Sequence, residues 1–136
     1  MLPSGRLIRI AAALLTDGRG RLLLVRKRGT ASFMQPGGKI EPHEEPGAAL
    51  LRELREELGL RERRGSLAHL GTLSAPAANE PGFTVEAELF RLVSDALPQP
   101  AAEIAEIAWL SPDAAITVTL APLTNDHVLP LWRSCQ

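Results

Sequence analysis

The sequence predicts a mixed α/β fold, one sheet with helices packed on it. Strand-like apolar runs lie on both sides of a single strongly amphipathic helical segment. Glycine and proline punctuate the runs at turn positions. The order is strands, helix, strands, short helices, and not the regular β-α alternation of a doubly wound sheet. At 136 residues the chain fits one domain, taken as 1–136, with one good core.

Residues 7–16 read as a buried strand, and the Asp17-Gly18-Arg19-Gly20 turn leads to a second strand at 22–28, so the two are expected to form a hairpin. A short extended piece at 32–35 is broken by Pro36-Gly37-Gly38. A helix follows from about 46 to 58. Pro46 suits its first turn, where the missing N–H is not needed, and Gly59 suits its left-handed stop. Strands are expected at 66–73, 83–93 and 104–110. The polar loop 74–82 separates the first two, and another loop covers 98–102. Ser111-Pro112-Asp113 reads as the start of a short helix, and Thr124-Asn125-Asp126 as the cap of a last one containing Val128 and Leu131. Trp109 and Trp132 read as packing residues.

Composition removes several function classes. Hydrophobic residues make up 45% and charged residues 23%, as in an ordinary globular protein. The net charge of -1 offers no basic excess for polymeric DNA or RNA. No apolar run approaches the roughly 20 residues that span a bilayer, and the N-terminal run is interrupted too early for a secretory signal. Cys135 is the only cysteine, so no intrachain disulfide can form, and a reducing, cytoplasmic setting is expected.

The informative segment is GKIEPHEEPGAALLRELREELGL, residues 38–60. At about 100° per residue, Glu53, Glu56 and Glu57 share an arc of roughly 100°, beside an arc of Leu50, Leu51, Leu54 and Leu58. The helix can therefore bury its leucines and hold three carboxylates next to them. Charges that close repel, and Arg52, Arg55 or a divalent cation can offset the repulsion. Oxygen ligands suit Mg²⁺ or Mn²⁺, ions that also take up phosphate oxygens. Gly37 and Gly38 let the backbone approach a ligand without a Cβ, and a glycine carbonyl can join a metal shell. Lys39 and Glu44 complete the loop leading to the helix.

This segment matches G-x5-E-x7-R-E-U-x-E-E-x-G-U, with U a bulky aliphatic, through Gly38, Glu44, Arg52, Glu53, Leu54, Glu56, Glu57, Gly59 and Leu60. A chance match in a chain this long is on the order of 10⁻⁷ or rarer. The chain thus resembles the Nudix hydrolases, and the PGG lead-in and the EIAEIAWL segment at 103–110 lie where that family has comparable elements. The resemblance implies an α/β/α sandwich, with a mixed β-sheet and flanking helices, and hydrolysis of a phosphoanhydride in a nucleoside diphosphate-linked compound. Glu53, Glu56 and Glu57, with a Gly37 carbonyl, would bind Mg²⁺ or Mn²⁺. Arg52 would orient the glutamates, with Gly38, Lys39 and Glu44 in support. The general base would be Glu53, Glu56 or a later glutamate. Glu103, six residues before Trp109, is the candidate for the last, with Glu106 and Glu80 as alternatives.

Similarity to MutT-type members favours a nucleoside triphosphate cleaved to monophosphate and pyrophosphate. Arg26, Lys27 and Arg28, at a strand end, would hold phosphate, and Phe33, Gln35 and Asn125 would meet the base. Gln35 stands where such proteins place an aromatic, and the chain has no tyrosine and three phenylalanines, so an aromatic clamp is hard to build. ADP-ribose or a nucleotide sugar is the enzymatic alternative, and a non-catalytic ligand-sensing module the other. Homodimerisation is a habit of the family.

Overall fold

A computed structural model describes residues 6–135. Strand β1, Leu7–Thr16, is the spine of the sheet. It pairs in parallel with β6, Thr84–Val93, along its whole length, from Leu7 opposite Thr84 to Thr16 opposite Val93. β5, Ala68–Pro76, runs antiparallel to β6 and forms that edge, with a bulge between His69 and Gly71. The other edge of β1 is shared. β2, Leu22–Lys27, touches it only at Thr16 opposite Leu22. Farther along, β4, Gly37–Lys39, lies antiparallel to Ile10, Ala11 and Ala12. β2 instead pairs with β7, Ile104–Leu110, and with the short β3, Phe33–Met34.

The expected hairpin of the first two strands is therefore corrected to a turn that splays at once. Asp17 fixes that turn by accepting from the backbone N–H groups of Arg19 and Arg21 and from the Arg21 side chain. The glycine segment expected only to interrupt the chain fills the gap as β4, and the Ala13 N–H donates to the Pro36 carbonyl at 2.9 Å. This wedge brings the loop of the signature onto the middle of the sheet.

The two faces of the sheet follow strand alternation. Ala11, Ala13, Leu15, Leu23, Val25, Phe90 and Leu92 face helix α1, Pro46–Leu58, which contributes Leu50, Leu54 and Leu58. Ala12, Leu14, Leu22, Leu24 and Leu89 face the C-terminal helical segment, which contributes Val128, Leu129 and Trp132. Glu45 caps α1 by accepting from the Gly47 and Ala48 N–H groups, and Gly59 ends it at φ 66°, with its own N–H and that of Leu60 returning to Arg55 and Leu54.

The C-terminal segment differs from expectation. Residues 111–114 form only a turn, closed by the Ala114 N–H to the Ser111 carbonyl, and no helix starts at Ser111. Thr124 does not cap a helix; it lies inside one, in a π-helical turn, Thr124–Val128, that leads directly into α2, Leu129–Ser134. Pro130 has no N–H to return to Asp126, and the Leu129 N–H reaches back five residues to Thr124, so the extra residue is taken up there. Trp132, fully buried, donates from its indole N–H to the Gly20 carbonyl at 2.8 Å and ties α2 to the β1–β2 turn. Among the described residues, no helix is long and apolar enough to cross a membrane.

Candidate active site

The site is built where β4 delivers its backbone to the polar side of α1. Gly37 has φ 145°, and a Cβ there would collide with the Ala11 carbonyl and lie 2.8 Å from the Ala12 Cα. A Cβ on Gly38 would lie 2.6 Å from Glu53 Oε1. Gly37 requires glycine for the loop to lie flat on β1, and at Gly38 a side chain would displace the Glu53 carboxylate.

Arg52 is the hub of the polar network. It donates to Glu44 twice, from Nε at 2.8 Å and Nη2 at 2.9 Å. Its Nη1 reaches Glu53 at 2.9 Å and Glu56 at 3.4 Å, and Nη2 also reaches the Lys39 carbonyl at 3.1 Å. Two of its partner residues, Glu44 and Lys39, therefore lie on the loop and two, Glu53 and Glu56, on its own helix. The Arg52 guanidinium, with help from the Glu41 N–H, brings the Glu44 carboxyl down to about 2. Arg64 brings Glu45 to about 2 in the same way, by hydrogen bonding.

Glu57 is the exceptional carboxylate. It is buried, and Oε1 has no hydrogen-bond partner. Burial first, then repulsion from Glu53 and Glu103, pushes it up to about 7, against the pull of Lys27 and the Gly37 N–H. A buried carboxylate oxygen without a partner is costly, and a cation would satisfy it. The donors gathered here are carboxylate and carbonyl oxygens, which suit a hard divalent ion. Among the described residues, no three acidic, histidine or cysteine side chains converge as a ready-made cage. Glu53 and Glu56 are instead engaged by Arg52 Nη1, at 2.9 and 3.4 Å.

Glu103 is brought to the same place by backbone contacts. The Ala101 N–H donates to the Glu57 carbonyl and the Gln99 N–H to the Leu58 carbonyl, both at 2.9 Å. Ala102 turns through φ 52°, and the Arg28 N–H holds the Glu103 carbonyl at 2.8 Å. The loop is thus fastened to the end of α1, which puts the Glu103 charge within reach of Glu57.

A cavity of about 120 Å³ opens beside Gly37 and Gly38, lined also by Lys27, Met34, Gln35 and Lys39. Of the residues expected to meet substrate, Gln35 is here. Phe33 is not: it is buried in the core beneath the C-terminal segment, on the opposite face from Met34. Asn125 is exposed and donates to its neighbour Asp126. Arg26 is committed to Glu106 on β7 at 2.7 Å and to the Thr30 carbonyl at 2.8 Å, which also removes Glu106 from the centre. Arg28 stands farther out, beside Glu103, in a shallow surface depression.

Lys27, expected with Arg26 and Arg28 to hold phosphate, is the one of the three that lines this cavity; it follows Leu23 and Val25 on the α1 face of β2. Thr124 was not singled out as a site residue: fully buried, it donates to Gln35 Oε1 at 2.6 Å across 89 positions of chain, and no local pattern signals that.

A mixed sheet lies between helices, with a glycine loop set against a row of helical carboxylates, and together with the family and the relatives it matches this makes the chain a hydrolase of pyrophosphate bonds. The Nudix domain pattern matches residues 6–132, and the chain belongs to the Nudix family. It is 30% identical over 133 residues to a CTP pyrophosphohydrolase of Escherichia coli (strain K12), covering 86% of this chain and 85% of the relative. The solution structure of the E. coli ORF135 protein superposes with TM-score 0.69 at 27% identity, covering 98% of this chain and 92% of that one. A MutT protein structure from Methanosarcina mazei Go1 shares the fold, with TM-score 0.76 at 21% identity over 94% of each chain.

Proposed function

We propose that this protein is a Mg²⁺-dependent nucleoside triphosphate pyrophosphohydrolase, giving nucleoside monophosphate and pyrophosphate, with Mn²⁺ as an alternative metal. The buried, unpartnered Oε1 of Glu57, whose carboxyl feels Glu53, Lys27 and the Gly37 N–H, is the observation that carries this reading. Glu53, Glu56 and Glu57 would hold the metal with the Gly37 carbonyl. Bound there, a divalent ion supplies charge neutralisation at phosphoryl oxygens and a more acidic water.

The chain's own groups do the rest. Lys27 and Lys39, at the cavity, draw the phosphate chain in, and Arg28 extends the positive rim beside Glu103. Arg52 keeps the loop and helix in register, so the carboxylates stand where the phosphates arrive. Glu103, exposed and fastened to the end of α1, is the group that takes the proton from the attacking water. The E. coli relative is named for its action on CTP, so CTP heads the substrate series.

The test is pyrophosphate and phosphate release from canonical and oxidised nucleoside triphosphates, ADP-ribose and nucleotide sugars, with Mg²⁺ and with chelator. Metal-dependent pyrophosphate release from a triphosphate supports the proposal. Cleavage confined to ADP-ribose or sugar nucleotides, or no cleavage despite Mg²⁺ binding, overturns it.

A further inference from the structure

At the other end of β1 from the glycine loop, a cavity of about 220 Å³ opens between the sheet and the end of α2. Leu14, Thr16, Arg91 and Val93 reach it from one face of two paired strands, with Leu14 opposite Arg91 and Thr16 opposite Val93. Trp132 and Cys135 flank it from the α2 side and Asp17 from the β1–β2 turn. None of these residues lines the cavities assigned to the phosphates.

Two polar groups here are unused. Thr16 is only 5% exposed, and its hydroxyl has no hydrogen-bond partner among the described residues. Strand parity turns it toward the Leu14 side of the sheet, into the cavity. A hydroxyl withdrawn from water and left unpaired is costly, and a ligand atom in the cavity would satisfy it. The Arg91 guanidinium, on the same face, makes no ion pair or hydrogen bond among the described residues. Asp17 does not answer it. Its Oδ1 accepts the backbone N–H groups of Arg19 and Arg21, and its Oδ2 is paired with Arg21 at 2.7 Å. Among the residues lining the cavity, Arg91 is the charge left without a counter-ion. Leu14, Val93 and Trp132 supply apolar wall, the indole N–H being already given to the Gly20 carbonyl.

We infer that this cavity is a second binding site, for a small organic monocarboxylate held by Arg91 and the Thr16 hydroxyl. A guanidinium matches one carboxylate, the hydroxyl donates to one of its oxygens, and the apolar wall takes a short hydrocarbon body. A di- or triphosphate would bring more charge than one guanidinium balances. The site is independent of the triphosphate reading above.

Cys135, exposed beside the cavity, is the reporter. The experiment is the rate of its alkylation by iodoacetate and by neutral iodoacetamide, read by intact mass, in the wild type, Arg91→Gln and Thr16→Val, with a melting temperature for each. In both reactions the sulfur bonds to the CH₂ carbon, iodide leaves and the thiol proton goes to solvent. The wild-type iodoacetate rate is expected to saturate with concentration, and butyrate to slow it, whereas inorganic phosphate at equal ionic strength does not. The iodoacetate:iodoacetamide ratio should fall roughly tenfold or more in Arg91→Gln and roughly threefold or more in Thr16→Val, which keeps the shape but loses the hydroxyl. Arg91→Gln alone carries the test if Thr16→Val melts below the assay temperature. A rate linear in iodoacetate, an unchanged ratio in Arg91→Gln, or a folded Thr16→Val with the wild-type ratio overturns the inference, the last by reducing it to the field of one surface arginine. Protection by phosphate equal to that by butyrate overturns the monocarboxylate assignment.

Discussion

Arg52 and Glu44 face each other across the loop–helix junction through two parallel hydrogen bonds of 2.8 and 2.9 Å. Such a paired fork fixes direction as well as distance. Glu44 also accepts from the Glu41 N–H, so a single carboxylate closes the loop on itself and on α1.

Removing that fork should slow turnover without dissolving the fold. Arg52→Gln is expected to lower kcat by about 10- to 100-fold, the usual effect of losing a group that orients metal-binding side chains. Steady-state kinetics, with circular dichroism on the same sample, check it. A variant with wild-type kcat would show that the network is only a surface ornament.

Glu53→Gln and Glu56→Gln should each cut kcat a hundredfold or more, on the order of 3 kcal/mol of transition-state stabilisation. Near-full activity at saturating Mg²⁺ would remove that residue from the metal site.

Glu57 makes metal-free stability depend on pH. Its folded value, about 7, is raised above the ordinary 4.5, so the folded protein holds a proton that the unfolded chain gives up. Its contribution is full below about 4.5 and is lost as pH rises through about 7, on the order of 3 kcal/mol in all. The melting temperature in chelator should fall across that window, and Glu57→Gln should flatten the fall. Added Mg²⁺ should displace the proton and restore stability at high pH. An equal slope in Glu57→Gln would assign the dependence elsewhere.

Two glycines separate activity from stability. In Gly38→Ala the new Cβ meets the Glu53 carboxylate, so kcat should drop at least tenfold. Gly59→Ala meets nothing within 4 Å but must hold φ 66°, so it should cost about 1 kcal/mol of stability and leave kcat near wild type. Thermal denaturation and initial rates on the pair give both answers, and the reverse pattern would refute the geometry.

Where the sequence was legible, the cause was local. Pro46 and Gly59 mark the ends of α1 because a missing N–H and a left-handed residue suit those two positions and no others. The spacing of Glu53, Glu56 and Glu57 on a helix fixes their common face. What was not legible depends on distant parts of the chain. The Asp17 turn looks like a hairpin, yet β2 leaves β1 after one residue pair because β4 takes its place. Phe33 looks like a platform for a base, but its strand parity turns it into the core and presents Met34 instead. Asn125 has suitable chemistry, but the π-helical turn puts it outside and its neighbour Thr124 inside.

That turn also sets angular phase. In an unbroken α-helix, Thr124 and Trp132, eight residues apart, would point about 80° away from each other. One added residue retards the upstream part by about 100°, which brings the two within about 20° of one another. The indole that bolts the helix to the β1–β2 turn and the hydroxyl that donates to Gln35 therefore lie on one side of the segment. Pro130, with no N–H to return to Asp126, fits the helix at this point only beside such a turn. A substitution that straightened the turn would swing one of these two anchors off its partner while leaving both anchoring residues unchanged.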